Sequence, residues 1–213
     1  MGLTLKEVLY IFEKIENNIS YNKQFLTDLD AAIGDGDHGI NLSKGFKVAR
    51  EKIEASEFRD WGEIFKTVGM AIVSSVGGAS GPLYGTAFMK ASMLGKGKME
   101  ITILDYKDIL VASIDGIKMR GKAEKGDKTI LDALIPAYDE VCYGIDNNLS
   151  LIDTLRNSAE AAKNGVKYTK LIAARKGRAS YLGDRSIGHQ DPGATSTSII
   201  LETILDIVTE LRS

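Results

Sequence analysis

Cysteine and proline are scarce in this chain: one thiol, Cys142, and three prolines in 213 residues. A lone cysteine excludes an intramolecular disulfide framework and fits a reducing compartment, so the fold must rest on an apolar core. With few prolines, long stretches are free to be helical. Excess charge is also missing, with a net charge of −2 and a pI near 5.8. No basic patch interleaved with aromatics is visible, which excludes a nucleic-acid surface that works by phosphate contacts and base stacking. The opening "MGLTLKEV" has neither the basic nor the apolar region of a signal peptide. No apolar run approaches the roughly 20 residues of a membrane span. The expectation is a cytoplasmic protein with no nucleic-acid and no membrane partner.

Hydrophobic residues at 44% and charged residues at 26% describe an ordinary globular chain, and its periodicity is helical almost throughout. Thr4 and Glu7 stand as a capping box before Leu5, Val8, Ile11, Phe12 and Ile15. A second helix carries Phe25, Leu26 and Leu29 and stops at Gly34, and a third runs from Asn41 to Ile53. The stripe Trp61, Ile64, Phe65, Val68, Ala71, Ile72 ends at "GGASG". Further stripes fall at 82–94, 105–120, 127–144, 150–173 and 194–211. Only "MEITILDY" (Met99–Tyr106) alternates like a strand, and one strand alone makes no sheet. The pattern predicts a single all-α domain spanning 1–213, with about eight helices packed as antiparallel neighbours.

The glycines cluster between these stripes: "GDGDHGIN" (Gly34–Asn41), "SSVGGASGPLYG" (Ser74–Gly85), "RGKAEKGDKT" (Arg120–Thr129) and "RKGRASYLGDRSIGHQDPG" (Arg175–Gly193). Any one of them reads as a turn, since Gly, Asp and Ser make turns. Four together, one rich in acids and one holding Arg175, Lys176 and Arg178, point to a nucleotide site. Asp30 precedes Asp35 and Asp37 closely enough for the three carboxylates to face one point. An EF-hand would need glutamate at its twelfth position, where Asn41 or Phe46 stands. Zinc would prefer His and Cys, and Cys142 is remote. Magnesium fits a carboxylate set that shares its ion with phosphates. Plain turn and cap roles for Asp35 and Asp37 stay open.

"GKAEKGDKT" comes close to a Walker A motif, but Asp127 sits where its lysine belongs and no strand precedes it, so that match is rejected. His38 and His189, the two histidines, stand in glycine-rich turns, where burial as neutral core residues is less expected, and they could bind phosphate, cap a helix or accept phosphate as nucleophiles. Phosphate binding is favoured for them over nucleophilic catalysis. Ser180, Ser186 and Ser196 lack acid–base partners for a hydrolase triad.

"DGDHGIN", "SSVGGASGPLYGTAF", "RGKAEKGDKTILDALIPA" and "ARKGRASYLGDRSIGHQDPGATS" together resemble the nucleotide-binding (L) component of dihydroxyacetone kinases, in the family's order and over nearly the whole chain. The resemblance implies a closed barrel of eight amphipathic helices with ADP or ATP at one rim, held through Mg²⁺, two ions in that reading, on Asp30, Asp35 and Asp37. It implies nucleotide contacts at His38, Gly39, Ile40, Asn41, Ala79, Ser80, Gly121, Ile130, Arg178, Asp191, Pro192 and Gly193. Ile130 stands where relatives often carry methionine, and Arg178 neutralises phosphate charge. The chain's length matches the separate subunit of phosphotransferase-system-dependent bacteria. Its implied partners are a phosphohistidine phosphocarrier subunit and a subunit that holds dihydroxyacetone; in some relatives a transcription regulator is a third. The alternative within the resemblance is the nucleotide domain of a fatty-acid kinase. The block "GRASYLGDRSIGHQDPG" together with His38 favours the dihydroxyacetone branch.

Overall fold

The computed structural model describes residues 2–213. In chain order its elements are β1 (Leu3–Thr4), α1 (Leu5–Tyr21), α2 (Lys23–Ile33), α3 (His38–Glu54), α4 (Trp61–Ser75), α5 (Ser80–Ser92), β2 (Glu100–Ile101), α6 (Ile103–Gly121), α7 (Leu131–Asp146) and α8 (Leu151–Thr169). A 3₁₀ stretch at Arg178–Ser186 then leads to α9 (Pro192–Arg212). The fold is all-α. The capping box is formed as expected: Thr4 Oγ1 accepts from Glu7 N, and the Glu7 carboxylate accepts from Thr4 N at 2.7 Å. Helix α1 then buries Val8, Ile11, Phe12, Ile15 and Ile19, one face of a 3.6-residue period.

Helix neighbours follow a cycle. Helix α1 packs on α3, α3 on α4, and so on through α8 and α9, and α9 packs back on α1. Eight helices make this cycle, and α2, which the sequence pattern counts among its about eight helices, stands outside it. The ninth, α2, lies against α3, α9 and the 3₁₀ stretch. Inside, Phe12, Phe65 and Phe88 meet edge-on or tilted at 5.3–5.9 Å between ring centroids, with Trp61 against Phe65 at 5.4 Å. Some neighbours approach too closely for a side chain. A Cβ on Gly165 of α8 would collide with the backbone of Asp132 in α7.

Three expectations are corrected. The strand expected at Met99–Tyr106 shrinks to Glu100–Ile101, antiparallel to Leu3–Thr4, because the Thr102 hydroxyl caps Asp105 N and starts α6 at once. The stripe at 127–144 becomes helical only at Leu131: Lys128 has φ +63°, and the Asp132 carboxylate is taken by the amides of Gly126 (2.6 Å) and Thr129 (2.7 Å). The stripe at 150–173 ends at Thr169, where the chain turns into the long loop before α9.

Candidate nucleotide and metal site

All four glycine-rich segments converge on one cavity of about 480 Å³. Its acidic wall is built by α2 and the turn after it. Asp30, in the last turn of α2, turns one carboxylate oxygen to the start of α3, accepting from Asp37 N (2.9 Å) and His38 N (3.2 Å). Its other oxygen stands where a Cβ on residue 34 would sit, so glycine is required there. Gly36 takes φ +71° and reverses the chain between Asp35 and Asp37. One oxygen from each of Asp30, Asp35 and Asp37 lies within 4.8 Å of the others. Desolvation, and then the charges of Asp35 and Asp30, push the Asp37 carboxyl above its usual range. A hard divalent cation relieves that repulsion, and three carboxylates with no thiol or imidazole among them suit Mg²⁺.

Amide donors and cations line the same cavity. Helices α3, α5 and α9 all begin in the cavity lining. No side chain caps α5, whose N-cap is Ala79, so its first amides are free for an anion. Helix α9 is capped by Asp191, which accepts from Ala194 N at 2.7 Å. Burial raises the Asp191 carboxyl to about 7. Arg178, 64% exposed at the mouth, pairs with Asp35 at 2.9 Å.

The three helix starts are pinned by His38. Its Nδ1 is 2.9 Å from Ser80 Oγ on α5, and its Nε2 is 2.9 Å from Ser196 Oγ on α9. Ser196 in turn bonds Tyr84 OH at 2.7 Å. Burial holds the imidazole neutral, lowering its pKa to about 4. This corrects the expectation that His38 escapes burial as a neutral residue: it is buried, with both ring nitrogens on serine hydroxyls, while still lining the cavity. Glycine-rich turns at a bundle rim can fold inward, and this one does. His189 is exposed and lies outside the cavity lining.

Most of the expected residues come together. Asp30, Asp35, Asp37, His38, Ala79, Ser80, Gly121, Ile130, Arg178, Asp191, Pro192 and Gly193 all line the cavity. Gly39, Ile40 and Asn41 do not: Gly39 is pressed against the α2 backbone, Ile40 points largely to solvent, and Asn41 bonds Asp37. Sequence reasoning passed over Lys128 and Thr129 as site residues, although both lie in the "GDKT" discarded as a failed P-loop. Ile117 and Ile130 also line a separate apolar cavity of about 130 Å³ among Phe12, Phe65 and Phe88. That cavity offers no charge to a phosphate, so the polar one is the candidate site.

A family model described as the DAK2 domain matches residues 32–206. The chain belongs to the DAK2 domain family. It is 40% identical over 204 residues to the PEP-dependent dihydroxyacetone kinase, ADP-binding subunit DhaL, of Escherichia coli K12, covering 96% of this chain and 97% of that protein. It is also 40% identical over 206 residues to the PTS-dependent counterpart of Lactococcus lactis, covering 97% and 99%. The dihydroxyacetone kinase from C. freundii, solved in complex with AMP-PNP and Mg²⁺, shares the fold of this DAK2 chain. The TM-score is 0.73 at 22% identity, over 97% of this chain and 34% of that one. The DAK2 chain thus stands among kinase subunits, a transferase class. No helix among its described residues is long and apolar enough to cross a membrane.

Proposed function

We propose that this chain, as one nucleotide-binding domain over 1–213, is the ADP-binding subunit of a phosphoenolpyruvate-dependent dihydroxyacetone kinase. In this reading it holds a nucleotide that receives a phosphoryl group from a phosphohistidine phosphocarrier subunit. The group then passes to dihydroxyacetone on a separate subunit. The observation that carries the reading is the meeting of a carboxylate triad with three helix N-termini in one cavity. Asp30, Asp35 and Asp37 would hold Mg²⁺, which when bound would supply charge neutralisation to the phosphates. The free amides of α5 orient those oxygens, and Arg178 at the mouth balances charge on the transferred group. Ile130 and Leu83 give the cavity apolar walls for the rest of the nucleotide. His38 has no free ring nitrogen and His189 lies outside the cavity lining, so the chain contributes alignment rather than a covalent phospho-intermediate. The ~40% identity to DhaL subunits supports this assignment of partners and cofactor.

The test is purification followed by mass spectrometry and phosphorus NMR for retained ADP, with calorimetry of added Mg·ADP. Retained or tightly bound ADP is expected. A chain that neither retains nucleotide nor binds Mg·ADP would refute the proposal.

A further inference from the structure

Lys128 is the largest charged side chain shut away from solvent, at 1% exposure, and the phosphate chemistry above leaves it unused. Its ammonium touches no carboxylate oxygen. It donates instead to four main-chain carbonyls: Thr169 (2.6 Å), Ser186 (2.8 Å), His189 (2.5 Å) and, longer, Ile172 (3.3 Å). An ammonium has three protons, so the long contact shares one of them. Thr169 is the last residue of α8, and the other three carbonyls belong to the segment between α8 and α9, which carries Arg178 midway and delivers Asp191 to the site at its end. Apolar anchoring of that segment is slight: Ala174, Ala179 and Leu182 gather on Ile33. The base of the lysine is itself fixed, by φ +63° and by the two amide bonds to Asp132. Thr169 ends α8, so the cation also meets the negative end of that helix.

An uncompensated buried ammonium is costly, and charge-assisted bonds to carbonyls offset that cost only while the loop keeps one shape. We propose that Lys128 is a positioning residue of the nucleotide site: its ammonium sets the shape of the Lys170–Gln190 loop and thereby holds Arg178 and Asp191 at the cavity. The inference rests on the nucleotide-binding reading above.

The experiment compares wild type, Lys128→Met, Arg178→Ala and the double variant by Mg·ADP calorimetry, with native-state hydrogen exchange on each. Lys128→Met is expected to weaken Mg·ADP by at least about tenfold, or about 1.4 kcal/mol. In the double variant the loss should fall well short of the product of the two single losses, because both act through Arg178. The amides of Ala174, Gly188 and Asp191 should exchange quickly in Lys128→Met while those of α4 and α5 stay protected. Lys128→Gln, which keeps two donors, should fall between wild type and Lys128→Met. Unchanged affinity, fully multiplicative losses, or collapse of the whole fold in both Met and Gln variants would overturn the role. If wild type itself ignores Mg·ADP, the functional reading fails instead, and the exchange pattern alone still decides whether Lys128 orders the loop.

Discussion

Glu7 links the two ends of the helix cycle, and its charge gives a quantitative test of how that cycle is held. The carboxylate receives Arg212 Nη1 at 2.6 Å from the last turn of α9 while closing the capping box of α1. The Arg212 hydrogen bond is the main cause that lowers its pKa from 4.5 to about 2, against a smaller desolvation effect. Taken in full, that drop corresponds to about 3 kcal/mol of stability; both side chains keep 20% of their surface exposed, and solvent screening reduces the figure to about 1–2 kcal/mol. Since the folded carboxyl is the more acidic, the contribution is complete above pH 4.5 and is lost as pH falls through that value toward 2. Glu7→Gln is the informative change, because glutamine's single carbonyl oxygen can still close the capping box while the charge and the acceptor for Arg212 are removed. Urea unfolding followed by far-UV circular dichroism, at about pH 7, 5 and 3, measures the gap between the two proteins. The gap should be about 1–2 kcal/mol at neutral pH and should narrow at the acid end. His38, lowered to about 4, and Asp191, raised to about 7, titrate in both proteins and cancel in the difference. A gap that is absent at pH 7, or the same at every pH, would refute the argument.

Other substitutions separate binding from folding. Asp35→Asn should abolish Mg·ADP binding by calorimetry with little change in melting temperature, since Asp35 accepts no backbone bond. Asp30→Ala should also lose binding and cost the fold about 1 kcal/mol in urea unfolding, because the amides of Asp37 and His38 lose their acceptor. Gly39→Ala should cost about 1–3 kcal/mol by the same assay, as its methyl group would drive into Lys23 O and Thr27 on α2. Nucleotide binding should fall with it, because α2 carries Asp30. His38→Phe should cost about 1–3 kcal/mol, because the Ser80 hydroxyl loses its partner and Ser196 keeps only Tyr84 and Gly193, read as a lower melting temperature.

The helices were legible because their apolar residues keep a 3.6-residue period, and the start of α1 because Thr4 and Glu7 form a local signal. The acid wall was legible for a similar reason: Asp30, Asp35 and Asp37 are close in sequence, and the intervening glycines mark a tight turn. What escaped the sequence depends on partners far along the chain. The Lys128 ammonium meets carbonyls 41 to 61 residues away, and backbone carbonyls leave no trace in residue identity. His38 looked exposed because its neighbours are small and polar, yet its serine partners lie 42 and 158 residues on. The start of α7 was misplaced because Asp132 spends its carboxylate on the preceding loop, which no periodicity records.

Helix α9 begins at the cavity with Pro192 and ends at Arg212, which reaches Gly2 O at 3.1 Å. Its 21 residues span about 30 Å, so Gly2 and Arg212 meet roughly that far from the mouth of the site. A tag, a linker or a surface tether joined at that end would hang from the pole opposite the nucleotide. The protein can therefore be immobilised by that pole with the candidate cavity facing solution, open to whichever macromolecule is offered to it.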